Sequence, residues 1–133
     1  MSQVSTDPIA DMLTRIRNSI KVNQTEVNMP YSKIKHDVAG ILLESNFITA
    51  INVEGKGKDK KIVLRLAQEG HNSPITEIER LSKPGRRSYT KAKDIPLIKH
   101  GRGIVIISTS LGIMSGAKAK QEQIGGELIC RVY

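Results

Sequence analysis

Between Asp7 and Lys21 the apolar residues Ile9, Met12, Leu13, Ile16 and Ile20 recur at steps of three and four. That spacing predicts one helix with a single apolar stripe. Asp7 and Pro8 stand where a helix start wants a capping carboxylate and a residue with no N–H to lose. Asp11 and Arg15 are four apart, in helix-supporting order. The polar face carries Arg15, Arg17, Asn18 and Lys21, which read equally as a solvated face or an RNA contact. Residues 25–29 alternate weakly and predict a short strand ended by Pro30. Ser32 is placed to cap a second helix, ending near Asn46, with Ile34, Val38, Ile41 and Leu42 facing inward and Leu43 as a further candidate for that face. Residues 47–53 alternate as a strand with one buried face. A turn at 55–59 returns the chain through 61–66 as a hairpin.

The run Gly70-His71-Asn72-Ser73-Pro74 has turn residues and no apolar anchor, so it reads as a linker. Residues 75–81 read as a strand, with a helix as the alternative. Lys83-Pro84-Gly85-Arg86 predicts a type II turn. Residues 86–91 leave it as a strand with Arg87, Tyr89 and Lys91 on one face and Arg86, Ser88 and Thr90 on the other. A short capped turn at 94–97 and a flexible entry at 100–103 follow. Ile104-Val105-Ile106-Ile107 is a β-branched run expected to form a strand buried on both faces. Polarity then switches abruptly to Ser108, Thr109 and Ser110, and Leu111-Gly112 reads as a turn. Ser115 is placed to cap a short helix from Gly116 to about Gln123, ended by Gly125-Gly126. Residues 127–133 close the chain as a strand. Simple alternation puts Leu128, Cys130 and Val132 on one face and Glu127, Ile129, Arg131 and Tyr133 on the other.

Composition narrows the function. Aromatics are 3% of the 133 residues and Trp is absent, so the core must be aliphatic. No apolar run approaches the ~18 residues of a membrane span. The first residues have neither the basic flank and apolar stretch of a secretory signal nor the Arg-rich character of a transit peptide. A single cysteine rules out an internal disulfide and fits a reducing compartment. The net charge is +8 and it is segregated. Residues 1–79 hold ten cations and ten anions, whereas residues 80–133 hold eleven cations and three anions. Solubility alone does not require that asymmetry, and nucleic acid is the commonest polyanion partner.

The candidate chemistry sits in the basic part. Ser108, Thr109, Ser110 and Gly112 would put hydroxyls and free backbone N–H groups on a rigid support, able to meet phosphate, ribose or base edges. Arg86, Arg87 and Lys91 would hold phosphates. Tyr89 among them would stack on a base or sugar, or else be a half-buried strand tyrosine. Lys33 opposes the dipole of the second helix, a local cost that an anionic partner would offset. His36 reads as a boundary residue, the hairpin-tip lysines as solvated, and Cys130 as a small buried strand residue. Gly101 and Gly103 precede a strand and lack a third glycine, so they are no dinucleotide fingerprint. No cofactor or metal is called for. A hydrolase or transferase using Ser108, Ser110 or Cys130 has no convincing base, so no enzyme is expected.

Three stretches together carry a family resemblance. Asp7 to Asn18 (DPIADMLTRIRN) looks like the opening helix of the eighth small-subunit ribosomal protein. Lys83 to Tyr89 (KPGRRSY) resembles that family's basic hairpin. Ser108 to Met114 (STSLGIM) with Gly125 to Cys130 (GGELIC) resembles its C-terminal signature. The resemblance covers essentially the whole chain, in family order. It implies an α+β fold of two small mixed lobes: residues 1–70 as a helix-strand-helix-hairpin lobe, and residues 71–133 as a mostly-β rRNA-binding lobe with one short helix. It implies a primary binder of the central domain of small-subunit rRNA, with neighbouring ribosomal proteins and its own operon's mRNA as further partners; the alternative reading of the residues is a non-ribosomal RNA-binding regulatory module. A ribosome of the cytoplasm or of an organelle would be its location. The RNA element would be read through Ser108, Thr109, Ser110 and Gly112, near Tyr89 and Glu127. Glu127 is expected to accept hydrogen bonds from the hydroxyl loop or from a base. The family usually has Lys or Arg where this chain has Leu111, an acidic residue where it has Gly116, and an aromatic where it has Arg131.

Overall fold

Helix α1 (Pro8–Lys21) begins where its cap dictates, with the Asp7 carboxylate accepting from Ala10 N–H at 3.1 Å. The computed structural model describes residues 7–68, 70–98 and 102–133. The segment before Asp7, and His100 and Gly101 of the strand entry, lie outside them. Ile9, Met12, Leu13 and Ile16 are buried, as the helical stripe requires. Strand β1 (Glu26–Pro30) leads to helix α2 (Lys33–Glu44), whose cap Ser32 accepts from Lys35 N–H. Strands β2 (Ala50–Glu54) and β3 (Lys61–Arg65) complete a three-stranded antiparallel sheet with β3 in the middle. Pro30 is tolerated because β1 is an edge strand.

The expected strand at 47–53 starts late. Asn46 adopts φ 64°, and Asn46 and Phe47 N–H donate back to Leu43 and Leu42 carbonyls. That pattern spends Phe47 on closing α2, so β2 begins only at Ala50. Phe47 and Ile48 still enter the core, from the turn.

Strands β4 (Ile78–Arg80), β5 (Tyr89–Thr90), β6 (Ile104–Thr109), β7 (Gly112–Ser115) and β8 (Gly126–Val132) form the second antiparallel sheet. Its order is β4-β8-β6-β7, with β5 also paired to β8. Helix α3 (Gly116–Gln121), capped by Ser115, packs on β6. The fold is α+β, with N-terminal helices and strands followed by a mostly-β sheet carrying one short helix.

Three local expectations are corrected. Gly85 lies outside the left-handed φ range, so the hairpin turn is not type II. Lys83 and Arg86 still exchange both backbone hydrogen bonds at 2.9 Å. Helix α3 is ended by Gln123 at φ 57°, with Gln123 and Ile124 N–H donating to Lys120 and Ala119 carbonyls, and not by the double glycine. On β8, Ile106 faces Cys130 but Ile107 faces Leu128, so Ile129 is an extra, bulged residue. The bulge breaks the alternation. Ile129, Cys130 and Val132 all join one hydrophobic cluster, and Leu128 packs against the other.

Strand β6 is covered on both sides. Ile106 enters a cluster with α1, α2 and β3, while Val105 and Ile107 enter a second with Ile95, Met114 and Ala119. Helix α1 is also latched to β4. Arg17 donates to Ile78 O at 2.7 Å, and Arg80 pairs with Asp7 at 3.2 Å. Arg17 thus has a structural partner. Among the described residues no helix is long and apolar enough to cross a membrane.

Candidate nucleic-acid interface

The register of the second sheet aligns one row of residues. Tyr89 lies opposite Glu127, Glu127 opposite Ser108, and Ser108 opposite Ile113. Directly opposed residues of antiparallel strands share a face. Ile106, two residues before Ser108 on the same face, is fully buried, whereas Tyr89 at the far end of the row is 72% exposed. The row therefore lies where the helices stop covering the sheet. Such exposure removes the half-buried reading of Tyr89.

The double glycine makes this alignment possible. A Cβ on Gly126 would collide with the Ser108 carbonyl oxygen, and one on Gly125 with that of Thr90. These glycines let β8 approach its neighbours beside Glu127. The Glu127 carboxylate accepts from Arg87 Nη1 at 3.1 and 3.4 Å. Its partner is thus a guanidinium and not the expected hydroxyl turn. Arg87 keeps half of its side chain in solvent.

The three hydroxyls are not equivalent. Ser108 and Thr109 are strand residues, and Ser110-Leu111 is the two-residue turn between β6 and β7. Thr109 Oγ1 donates to Gly112 O at 2.7 Å and accepts from Leu111 N–H at 3.1 Å. Gly112 sits at φ 117°, a conformation that favours glycine. Thr109 thereby locks the turn. Among the described residues, the hydroxyls of Ser108 and Ser110 have no hydrogen-bond partner. Leu111 projects from the tip, 70% exposed.

The other predicted residues divide. Lys33 is exposed, pairs with Asp37 at 3.1 Å, and lines one depression with His36, Gly112 and Ile113, so it flanks the turn. Arg86 is exposed at the end of the Lys83–Arg86 turn. Lys91 is not brought to the row. The strand ends at Thr90, a 3-10 turn follows over Ala92–Asp94, and Lys91 lines a different depression with Lys93 and Lys120.

Two supports were missed by sequence reasoning. Ser82 is fully buried. Its Oγ accepts from Ser88 N–H at 2.7 Å and donates to Ser88 O at 3.3 Å, closing the hairpin that delivers Arg87 and Tyr89. A serine beside a turn carries no signal of that role. Lys35, in the first turn of α2, is buried, and its Nζ reaches Asp11 at 3.0 Å and Pro30 O at 3.4 Å. Burial alone would push the Asp11 carboxyl up, but the hydrogen bonds and charges of Lys35 and Arg15 hold it below its usual value. Cys130 is wholly buried, and that burial pushes its thiol up to about 12. It has the packing of a small core residue.

The model for ribosomal protein S8 matches residues 7–133. The small ribosomal subunit protein uS8 of Solibacter usitatus is 45% identical over 131 residues, covering 98% of this chain and 100% of that protein. Its counterpart in Mycoplasmopsis pulmonis is 43% identical over 130 residues, covering 98% of each. Such matches define the class as ribosomal proteins. Within it, the chain belongs to the ribosomal protein S8 family.

Proposed function

We propose that this chain is a structural constituent of the small ribosomal subunit that binds the central domain of small-subunit rRNA, against neighbouring ribosomal proteins. Binding and not catalysis is its role, and the ribosome of the cytoplasm its location. The observation that carries the reading is the row Tyr89–Glu127–Ser108, set at the uncovered end of the sheet, with the Ser110 hydroxyl, which has no partner among the described residues, beside it. Regular A-form RNA keeps its deep groove from side chains, so specific readers address irregular or unstacked elements. Tyr89 offers a ring for stacking, and Ser108 and Ser110 offer hydroxyls to sugar or base edges. Thr109 and Gly112 hold the turn, Arg87 fixes Glu127, and Lys33 flanks the site. Arg86 and Lys91 supply phosphate contacts that are blind to sequence. RNA contact is assigned mainly to the lobe of residues 71–133, with residues 1–70 as the second lobe. The same surface would take a similar fold in the message of its own operon and repress translation there.

The test is a salt-titrated binding comparison between the central-domain rRNA fragment and a length-matched regular duplex. Preference for the fragment that survives high salt supports the reading. Equal binding that collapses with salt refutes it.

A further inference from the structure

The two hairpin residues that meet Glu127, Arg87 and Tyr89, are both exposed. Side chains so exposed are aimed by their backbone and not by packing. Strand β5 spans only Tyr89–Thr90, and Arg87 and Ser88 lie in no strand. The backbone between the two side chains, that of Ser88, is held by other means. Its carbonyl accepts from Leu128 N–H of β8 at 2.8 Å and from Ser82 Oγ at 3.3 Å. Its N–H donates to Ser82 Oγ at 2.7 Å and has no other acceptor among the described residues. One hydroxyl, using both its proton and a lone pair, thus gives Ser88 the pair of bonds that a neighbouring strand would give.

Ser82 is itself a fixed post. It is fully buried, and the two residues before it, Arg80 and Leu81, both donate to the Ile129 carbonyl on β8, at 2.9 and 3.0 Å. The turn does not need Ser82 for closure, because Lys83 and Arg86 already exchange both backbone bonds. The hydroxyl acts one step beyond that turn, on the residue between Arg87 and Tyr89. We propose that Ser82 is a positioning residue for RNA preference: through the backbone of Ser88 it sets the direction of Arg87 and Tyr89, and so their joint fit to one RNA irregularity. It rests on the rRNA-binding reading and adds a determinant that no RNA touches, since Ser82 has no exposed surface. Removing the hydroxyl leaves every charge in place, so it should alter selectivity and not the salt-dependent attraction.

The experiment compares the full chain with Ser82→Ala and Ser82→Cys, under conditions in which urea unfolding shows all of them folded. Each is titrated with the central-domain rRNA fragment and with the regular duplex, across salt. Ser82→Ala should bind the fragment about three- to tenfold more weakly, the scale of one lost hydrogen bond, with duplex binding and salt slope unchanged. Ser82→Cys keeps a weak donor and acceptor and should lose less. In an Arg87→Ala/Tyr89→Ala background, Ser82→Ala should weaken fragment binding no further, because the side chains it aims are gone. Its cost in stability should persist there. An equal loss of binding in that background, or no loss in the parent, overturns the proposal. The chain has no tryptophan, so Tyr89→Trp supplies a unique fluorophore. Its anisotropy in the free protein should fall when Ser82→Ala is added, and an unchanged value also overturns the proposal. Failure of the rRNA-binding reading looks different: the parent would show no preference for the fragment, while the anisotropy would still fall.

Discussion

Asp7 serves two partners at once: its carboxylate caps α1 at Ala10 N–H, 3.1 Å away, and pairs with Arg80 of β4 at 3.2 Å. Both side chains are largely buried, at 16% and 12% exposure. Arg80 also donates to the carbonyl of Ile129, the bulged residue. Asp7→Ala removes the cap and strands a buried guanidinium, so unfolding free energy should fall by about 2–4 kcal/mol. Asp7→Asn keeps a capping oxygen and should cost less. Urea unfolding of both variants checks this, and equal losses would deny the cap any share.

Ser110 and Thr109 should separate binding from scaffolding. Ser110→Ala should lower affinity for the cognate rRNA fragment by ~1 kcal/mol, about fivefold, at unchanged stability. Thr109→Val removes the bonds to Gly112 and Leu111. It should lose affinity and also ~1 kcal/mol of stability. Binding and unfolding titrations on the same preparations decide it. Affinity of Ser110→Ala equal to the parent would remove that hydroxyl from the interface.

Gly126→Ala forces β8 away from the Ser108 carbonyl. A backbone oxygen cannot swing aside like a side chain, so a loss of about 1–3 kcal/mol is expected, with weakened RNA preference. Gly85→Ala is the control. Nothing lies within 4 Å of its added Cβ and its φ is not left-handed, so stability should stay within about 0.5 kcal/mol. Thermal melts distinguish the two.

Acid should act through Asp11. Its folded carboxyl titrates below its ordinary 3.8, so its contribution is complete above that value and is lost as pH falls through the folded one. Stability measured from pH 6 down to pH 2 should show an acid limb that Asp11→Asn flattens. An identical limb in the variant would place the loss in other carboxylates.

What was legible in the sequence was local. Asp7, Ser32 and Ser115 announce their helices because a cap bonds within three residues, and Ile104 to Ile107 announce a strand covered on both sides. The hydroxyl turn was visible as a change of polarity. Its neighbours were not, because the pairing of Tyr89 with Glu127 and of Glu127 with Ser108 is a matter of register between distant strands. The Ile129 bulge defeats any reading by alternation, since one inserted residue moves every later side chain to the other face. The double glycine looked like a helix stop, whereas its use is close approach between strands.

Strand β8 follows every other element in chain order, yet it is the strand on which β4, β5 and β6 all pair. The proposed interface therefore has no partial form. A nascent chain that has delivered Tyr89 and Ser110 but not Glu127 has a loose hairpin and an unpaired strand edge, with nothing to hold the two in register. The proposed row would form only once β8 is in place between β5 and β6.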